Sequence, residues 1–147
     1  MTPRSAPPDR VIRWMESLHR AVLRLTGGRV GRRLLGMETV ELHTVGRRSG
    51  ARRSTLLTAP VEEEGRIVLV ASKGGADDHP AWYLNLVATP EVEITRRGVT
   101  GRYLARTTTG DEREALWPRI TRVNPGYAGY QQRTSRQIPV VVCEPRG

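Results

Sequence analysis

The chain has 147 residues, of which 37% are hydrophobic and 27% are charged, so it fits one folded domain and is neither a membrane-embedded nor a disordered polypeptide. Its formal net charge of +9 indicates a polyanionic partner: nucleic acid, an acidic membrane surface or an anionic small molecule. Lys73 is the only lysine among 24 basic residues, so a bias for arginine explains part of the charge. Cys143 is the sole cysteine, which excludes an internal disulfide and is typical of a reducing compartment.

The first 36 residues are predicted to be a tail and an amphipathic helix. Residues 1–8 are rich in proline and are predicted to be flexible. From Asp9 apolar residues recur at helical spacing, and Gly27 and Gly28 end the pattern. The arginines of this helix either face solvent or rest on an acidic membrane. No apolar run suits a transmembrane helix or a secretory signal, so we expect a cytoplasmic protein, with peripheral attachment to the inner membrane face as the alternative.

Residues 37–147 are predicted to form a single, mainly β domain of the α+β class. Helices are expected from Pro80, where proline suits the first helical position, and from Thr109. Arg97-Gly98 is predicted to close a hairpin. Since no parallel βαβ rhythm occurs, we expect a six-stranded antiparallel barrel with helices packed outside it. The predicted strands are residues 40–45, 54–61, 66–72, 91–95, 99–106 and 138–143.

A basic cluster, Gly-Arg-Arg-Ser-Gly-Ala-Arg-Arg, separates the first two predicted strands at residues 46–53, which we call the arginine turn. Guanidinium groups bind phosphate or carboxylate oxygens in bidentate fashion. The alternative is an exposed loop with solvated charge. The candidate anion-binding residues are Arg47, Arg48, Ser49, Arg52 and Arg53.

A second candidate site joins the third strand to the first helix, and we call residues 72–75 the glycine corner. Its two glycines leave backbone amides open to an anion, and Lys73 adds a positive charge. The helix that follows brings Trp82 and Tyr83 close in sequence. The alternative is an ordinary connection in which Trp82 fills the core. The candidate residues are Ser72, Lys73, Gly74, Gly75, Pro80 and Trp82.

Other chemistries have little support. His43, His79 and Cys143 lack the spacing of a zinc site, so no metal is predicted. Ser72 lacks a nucleophile elbow and an orienting carboxylate, which argues against hydrolysis. Neither the dinucleotide fingerprint nor the phosphate-loop motif occurs. Nucleic-acid binding remains an alternative because of the charge, although few aromatic residues are interleaved with the arginines.

Taken together, the motifs resemble the deazaflavin-dependent nitroreductases, part of the flavin/deazaflavin oxidoreductase group of split β-barrels. Four ordered motifs carry the resemblance, which runs from about Val40 to Glu144. They are Gly46-Arg47-Arg48-Ser49-Gly50; Ala71-Ser72-Lys73-Gly74-Gly75; His79-Pro80-Ala81-Trp82-Tyr83 with Asn85; and Tyr127-x-x-Tyr130-Gln131 leading to Arg136-Gln137-Ile138-Pro139-Val140. The chain departs from the family at one position in the second predicted strand. Some members carry a tyrosine there, and this chain has Ala59.

The resemblance implies a function. Family members use reduced coenzyme F420, a deazaflavin with a phosphate and oligoglutamate tail, as a hydride donor. It implies that the two basic motifs hold the cofactor, that Trp82 walls the ring, and that Tyr127, Tyr130 and Ser72 act on a small hydrophobic acceptor: a quinone, nitroaromatic or activated alkene. An FMN-binding or non-catalytic split-barrel relative is the alternative. The oligomeric state is left open.

Overall fold

The computed structural model describes residues 33–34 and 37–146, so the predicted tail and the predicted helix of residues 9–28 lie outside the described residues. The described part holds one antiparallel sheet, three helices and a 3-10 turn at Lys73–Gly75. The strands are β1 Arg33–Leu34, β2 Met37–Val45, β3 Arg52–Ala59, β4 Val61–Glu63, β5 Arg66–Val70, β6 Glu91–Arg96, β7 Val99–Thr107 and β8 Val140–Arg146. The helices are α1 Ala81–Ala88, α2 Gly110–Val123 and α3 Gly126–Gln132.

The strands follow the order β1-β2-β6-β7-β8-β5-β4, and β3 pairs with β2. All pairings are antiparallel, and β3 contacts β5 across the barrel without a ladder among the described residues. The predicted split barrel is therefore confirmed. Its six predicted strands correspond to all but β1 and β4. Pro60, which has no amide proton for a ladder, separates β4 from the longer strand that we predicted over residues 54–61.

Two-residue hairpins join β4 to β5 and β6 to β7. In the second, Arg97 and Gly98 have φ of 52° and 79°, and Arg96 faces Val99 across the ladder. Positive φ at both turn positions is typical of a type I′ turn, whose twist matches that of the strands. The hairpin predicted at Arg97-Gly98 is confirmed.

Two apolar clusters lie on opposite faces of the sheet. Along β5, Ile67 and Leu69 belong to one cluster and Val68 and Val70 to the other, because successive strand side chains alternate in direction. The first cluster fills the barrel beneath α1, and the second lies under α2 and α3. Burial on both faces explains the uninterrupted apolar sequence of this strand.

The helices differ slightly from their predicted bounds. Pro80 is extended, with ψ of 150°, and α1 begins one residue later than predicted, at Ala81. Helix α2 continues through Pro118. None of the helices within residues 37–146 combines the length and the apolar character that spanning a membrane requires.

Burial makes the thiol of Cys143 unreactive. Its side chain is fully buried in the barrel, and desolvation raises the pKa of the thiol to about 12. Because the thiolate is the reactive form, we expect no reaction of the native protein with a chromogenic disulfide reagent at pH 8 and full reaction after unfolding. Rapid labelling of the native protein would contradict this barrel packing.

Candidate functional site

The arginine turn is closed by its own hydrogen bonds. The Gly46 amide donates to the Ala51 carbonyl at 2.8 Å, and the Gly50 amide donates to the Gly46 carbonyl at 2.8 Å. Ser49 Oγ accepts from the Ala51 amide at 3.1 Å. Gly50 takes a left-handed φ of 70°, which favours glycine. The turn therefore has a defined shape, and the Ser49 hydroxyl helps to maintain it.

The strand alternation separates Arg52 from Arg53. Arg53 faces Thr44 across the β2–β3 ladder, on the side of α1, whereas Arg52 faces Val45 on the opposite side. Arg52 Nη1 lies 2.6 Å from Glu93 Oε1. The other three predicted arginines, Arg47, Arg48 and Arg53, form no ion pair with any residue in the described ranges. The structure thus places Arg52 apart from them.

Asn85 connects the arginine turn to α1, the helix that follows the glycine corner. Its Oδ1 accepts from both the backbone amide and Nη1 of Arg47, each at 3.1 Å. Its Nδ2 donates to Thr44 Oγ1 at 3.2 Å. The side chain is only 5% exposed, and a buried amide with its polar atoms bonded fixes the groups around it. One buried residue therefore sets the position of the turn relative to α1.

The backbone of the glycine corner has the form of an anion-binding nest. Ser72 is right-handed, with φ of −77° and ψ of −37°, and Lys73 and Gly74 follow with φ of 47° and 64°. A right-handed residue followed by a left-handed one, as at Ser72 and Lys73, turns successive amides toward one point. The Gly75 amide donates within the corner, to Ser72 O, whereas that of Gly74 has no acceptor among residues 37–146. The corner is therefore suited to an anionic oxygen.

Lys73 lies at this corner with a carboxylate beside it. Its Nζ is 2.7 Å from Asp78 Oδ2, and its side chain is 14% exposed while that of Asp78 is 73% exposed. The ammonium holds the pKa of the Asp78 carboxyl below its usual range. An anionic ligand at the corner would compete with Asp78 for the same ammonium group.

Arg136 forms hydrogen bonds with the backbone in and around the glycine corner. Its Nη2 donates to the carbonyls of Ala71 and Ser72 at 3.2 and 2.9 Å, and its Nε donates to the Ala76 carbonyl at 2.7 Å. Its Nη1 lies 3.2 Å from His79 Nδ1. Burial, aided by the charge of Arg136, lowers the pKa of His79, which keeps this imidazole neutral at pH 7.

Helix α3 brings the two predicted tyrosines to the glycine corner. A Cβ added to Gly75 would lie 2.7 Å from the Tyr130 carbonyl oxygen, so the two backbones touch. Tyr127 is 6% exposed, its hydroxyl lies 2.9 Å from Thr58 Oγ1, and burial raises the pKa of its phenol. The rings of the two tyrosines meet edge to face at 6.0 Å. Tyr127 therefore packs in the core and supports Tyr130, which is more exposed.

Most of the predicted site residues lie in one region of the structure. Trp82 is an exception, because it is buried in the core. Ser72 is 9% exposed at the corner, and Pro80 is buried at the start of α1. Trp82 is only 8% exposed and packs in the barrel core, as the alternative interpretation of the sequence has it. Tyr83 is the more accessible ring, and its centroid lies 4.8 Å from that of His79, with the two planes tilted by 53°.

Sequence reasoning missed the residues that hold these parts together. Asn85 and Arg136 stood in the motifs without an assigned role. A signal was present for each: Asn85 is the one amide within an apolar helix, and Arg136 precedes a buried strand. Gln131 bonds Arg136 O at 2.7 Å and the Ile138 amide at 2.9 Å, and Arg133 Nη1 donates to Gly74 O at 3.3 Å. The two Gln131 contacts are local, whereas the Arg133 contact joins residues 59 positions apart in the chain.

The fold and the site define a split-barrel protein whose basic turn and glycine corner carry donors suited to an anionic cofactor. The model of the F420H(2)-dependent quinone reductase family matches residues 14–145. The chain belongs to this family, and the resemblance seen in its motifs is confirmed.

Several known proteins are similar to this chain. An F420H(2)-dependent quinone reductase from Mycobacterium tuberculosis strain H37Rv is 39% identical over 150 residues, which cover 92% of this chain and 99% of that one. A solved F420-H2 dependent reductase is 40% identical, with a TM-score of 0.66 over 72% of this chain and 93% of the other. A pyridoxamine 5′-phosphate oxidase-like protein from Listeria innocua, 10% identical with a TM-score of 0.52 over 88% and 94% of the two chains, shares the fold.

Proposed function

We propose that this protein is an F420H2-dependent reductase that transfers hydride to quinones, with nitroaromatics and activated alkenes as further acceptors of the same electronic type. The observation that carries the proposal is the family match over residues 14–145. The relative that is 39% identical is named as a quinone reductase. Nucleic-acid binding has no comparable support. It was suggested by the net positive charge of the chain, and binding of an acidic cofactor accounts for that charge.

The residues of the site fit the cofactor. Its phosphate and glutamate tail need cations that have no carboxylate of their own, and Arg47, Arg48 and Arg53 have none among the described residues. Lys73 and the nest of the glycine corner add a second set of donors. Each charge-assisted hydrogen bond contributes about 1.5–3 kcal/mol. We assign cofactor binding to these groups, with Ser49 maintaining the turn and Arg52 facing the opposite side.

Coenzyme F420 supplies, when bound, a hydride from its reduced deazaflavin ring. The protein binds and orients it, and helix α3 excludes water from the glycine corner. We assign the acceptor side to Tyr130 and Ser72, with Tyr127 holding the Tyr130 ring in place through their edge-to-face contact. Reduction of a quinone to a hydroquinone also needs a proton, and the Tyr130 hydroxyl is the candidate donor.

Anaerobic mixing of the purified full chain with F420H2 and menadione tests the function. We expect the visible absorbance of oxidised F420 to appear with menadione and not without it. No turnover together with no coenzyme binding would refute the proposal. The visible spectrum of the protein as purified tests the alternative cofactor, because bound FMN would give a flavin absorbance.

The two halves of the site are expected to respond differently to mutation. Lys73→Ala or Arg48→Ala removes a cation and should weaken F420 binding about tenfold or more, since one charge-assisted hydrogen bond accounts for that factor. Tyr130→Phe keeps the ring and should lower turnover or change acceptor preference with little effect on coenzyme affinity. Titration and steady-state kinetics separate these effects. Equal losses of binding and turnover in all three variants would contradict the division.

We further propose that the enzyme works in the cytoplasm and that the basic helix predicted at residues 9–28 touches the inner face of the membrane. The sequence pattern supports this contact, because helical spacing is predicted to place the apolar residues and most of the arginines on different sides. Co-sedimentation of the full chain with anionic and with neutral vesicles tests it. No retention on anionic vesicles would refute it.

A further inference from the structure

A row of polar side chains crosses the face of the sheet that points away from α1. The ladders place Ser54 beside His43 and His43 beside Glu93. They continue the row from Glu93 to Arg102 and from Arg102 to Arg146. Residues directly opposite one another in antiparallel strands project to the same side. Five strands therefore contribute one residue each to a single polar row.

One end of this row is fixed by hydrogen bonds around the His43 ring. His43 is 8% exposed, and its Nδ1 lies 2.7 Å from Ser54 Oγ. Its Nε2 lies 2.8 Å from Thr95 Oγ1, which in turn lies 2.7 Å from Thr100 Oγ1. Both ring nitrogens have hydroxyl partners, so this side of the row is a rigid wall.

The other end has more positive than negative charge. Glu93 forms an ion pair with Arg52 at 2.6 Å and has Arg102 as its other cross-strand neighbour. Arg146 has only Arg102 opposite it in the ladder. Neither Arg102 nor Arg146 forms an ion pair with a residue of the described ranges. Like charges directly opposite one another destabilise a sheet. An anion bound between Arg102 and Arg146 would relieve this repulsion.

A cavity of about 730 Å³ opens over the row. Its volume lies within the usual range for small-molecule sites, roughly 300–1,000 Å³. Arg52, Arg102 and Arg146 line it together with Glu91, Glu93 and His43, so cations exceed carboxylates. Gly50 of the arginine turn forms part of its rim, while the glycine corner and the tyrosine helix contribute no lining residue among those described.

We infer that this cavity binds a second ligand, a small organic anion whose phosphoryl or carboxylate group is held between Arg102 and Arg146. Two guanidinium groups on neighbouring strands offer parallel N–H donors to such an oxyanion. The Glu91 carboxylate is available to accept hydrogen bonds from hydroxyl groups on the remainder of the molecule. The charged side chains of the site lie on the other face of the sheet from Arg53 and α1, and no residue of the glycine corner lines the cavity, although its lining extends to Gly50 and Thr44 beside the arginine turn.

Isothermal titration of the full chain with glycerol 3-phosphate, citrate and inorganic phosphate tests the inference. We expect saturable binding of at least one probe, weakened about tenfold or more in the double variant Arg102→Met/Arg146→Met. The probe that binds distinguishes a phosphoryl from a carboxylate head. Arg119→Met is the matched control, since Arg119 is an arginine outside the cavity, paired with Glu63 on the surface. This variant should bind the probes as the parent protein does.

Three results would overturn the inference. The first is the absence of saturable binding for all three probes. The second is an equal loss of binding in Arg119→Met, which would indicate a general charge effect. The third is a parallel loss of F420 affinity in the double variant, which would make this surface part of the coenzyme groove. Arg102 and Arg146 are exposed and face each other as like charges, so the double variant should unfold at the same temperature as the parent protein or slightly above it, which is checked alongside.

Discussion

Replacing Arg136 with methionine is expected to lower kcat/KM for F420H2-dependent quinone reduction by about 100-fold, which corresponds to about 2.7 kcal/mol. The guanidinium group donates to three carbonyls of residues 71–76 and contacts His79. Methionine keeps the unbranched apolar part of the side chain and removes these donors. Buried carbonyls without partners cost about 1–3 kcal/mol each, so the glycine corner should rearrange. We expect both a higher KM for the coenzyme and a lower kcat.

Arg136→Lys separates the charge from the geometry. An ammonium group keeps the positive charge and cannot reach three carbonyls in the planar arrangement of a guanidinium, so we expect only partial recovery of kcat/KM. Arg119→Met controls for the general loss of an arginine and should retain full activity. If Arg136→Met lost thermal stability but kept the parent values of kcat and KM, Arg136 would be a structural residue and the positioning role would be wrong.

Most of the fold followed from local sequence patterns. Strand alternation, the Arg97-Gly98 hairpin and the proline before α1 are short-range signals, and each corresponds to an observed element. The two short strands gave no such signal. β4 has three residues and pairs only with β5, so it depends on a neighbour rather than on its own propensity.

The site was only partly predictable, for a physical reason. Local sequence identified the donor groups themselves, such as Arg48 and the backbone amides of the glycine corner. It did not identify the groups that position them, because Asn85 and Arg136 act through partners 38 to 65 residues away. Sequence also placed Arg52 and Arg53 together, whereas the alternation of β3 directs neighbouring residues to opposite faces. Trp82 was assigned to the cofactor from its place in a motif, and the structure buries it in the barrel core.

These long-range contacts combine two segments into one unit. Arg136 donates to the carbonyls of residues 71, 72 and 76, and Arg133 donates to Gly74 O at 3.3 Å. The carbonyl of Tyr130 lies against Gly75. The corner that we assign to the coenzyme and the helix that we assign to the acceptor therefore cannot move independently, and a change at their contact should affect both substrates.

Gly75→Ala is expected to show this dependence and to be the most damaging glycine substitution in the site. Gly75 has φ of 86°, a left-handed conformation that costs a residue with a Cβ roughly 1–2 kcal/mol. The new Cβ would also lie 2.7 Å from the Tyr130 carbonyl and 3.0 Å from Arg133 Cβ, so α3 must shift. Overpacking of this kind costs about 1–3 kcal/mol more. We expect lower stability and a higher KM for both F420H2 and the quinone.

Gly98→Ala isolates the effect of the contact from that of backbone strain. Gly98 has φ of 79°, close to that of Gly75, and a Cβ there would meet nothing within 4 Å. Both variants carry the strain of a left-handed alanine, but only Gly75→Ala displaces the tyrosine helix. The difference in their free energies of unfolding, measured by urea denaturation, should therefore equal the overpacking cost, and Gly98→Ala should keep the parent KM values. Equal stability losses and equal KM values in the two variants would show that the glycine corner and α3 do not restrain each other.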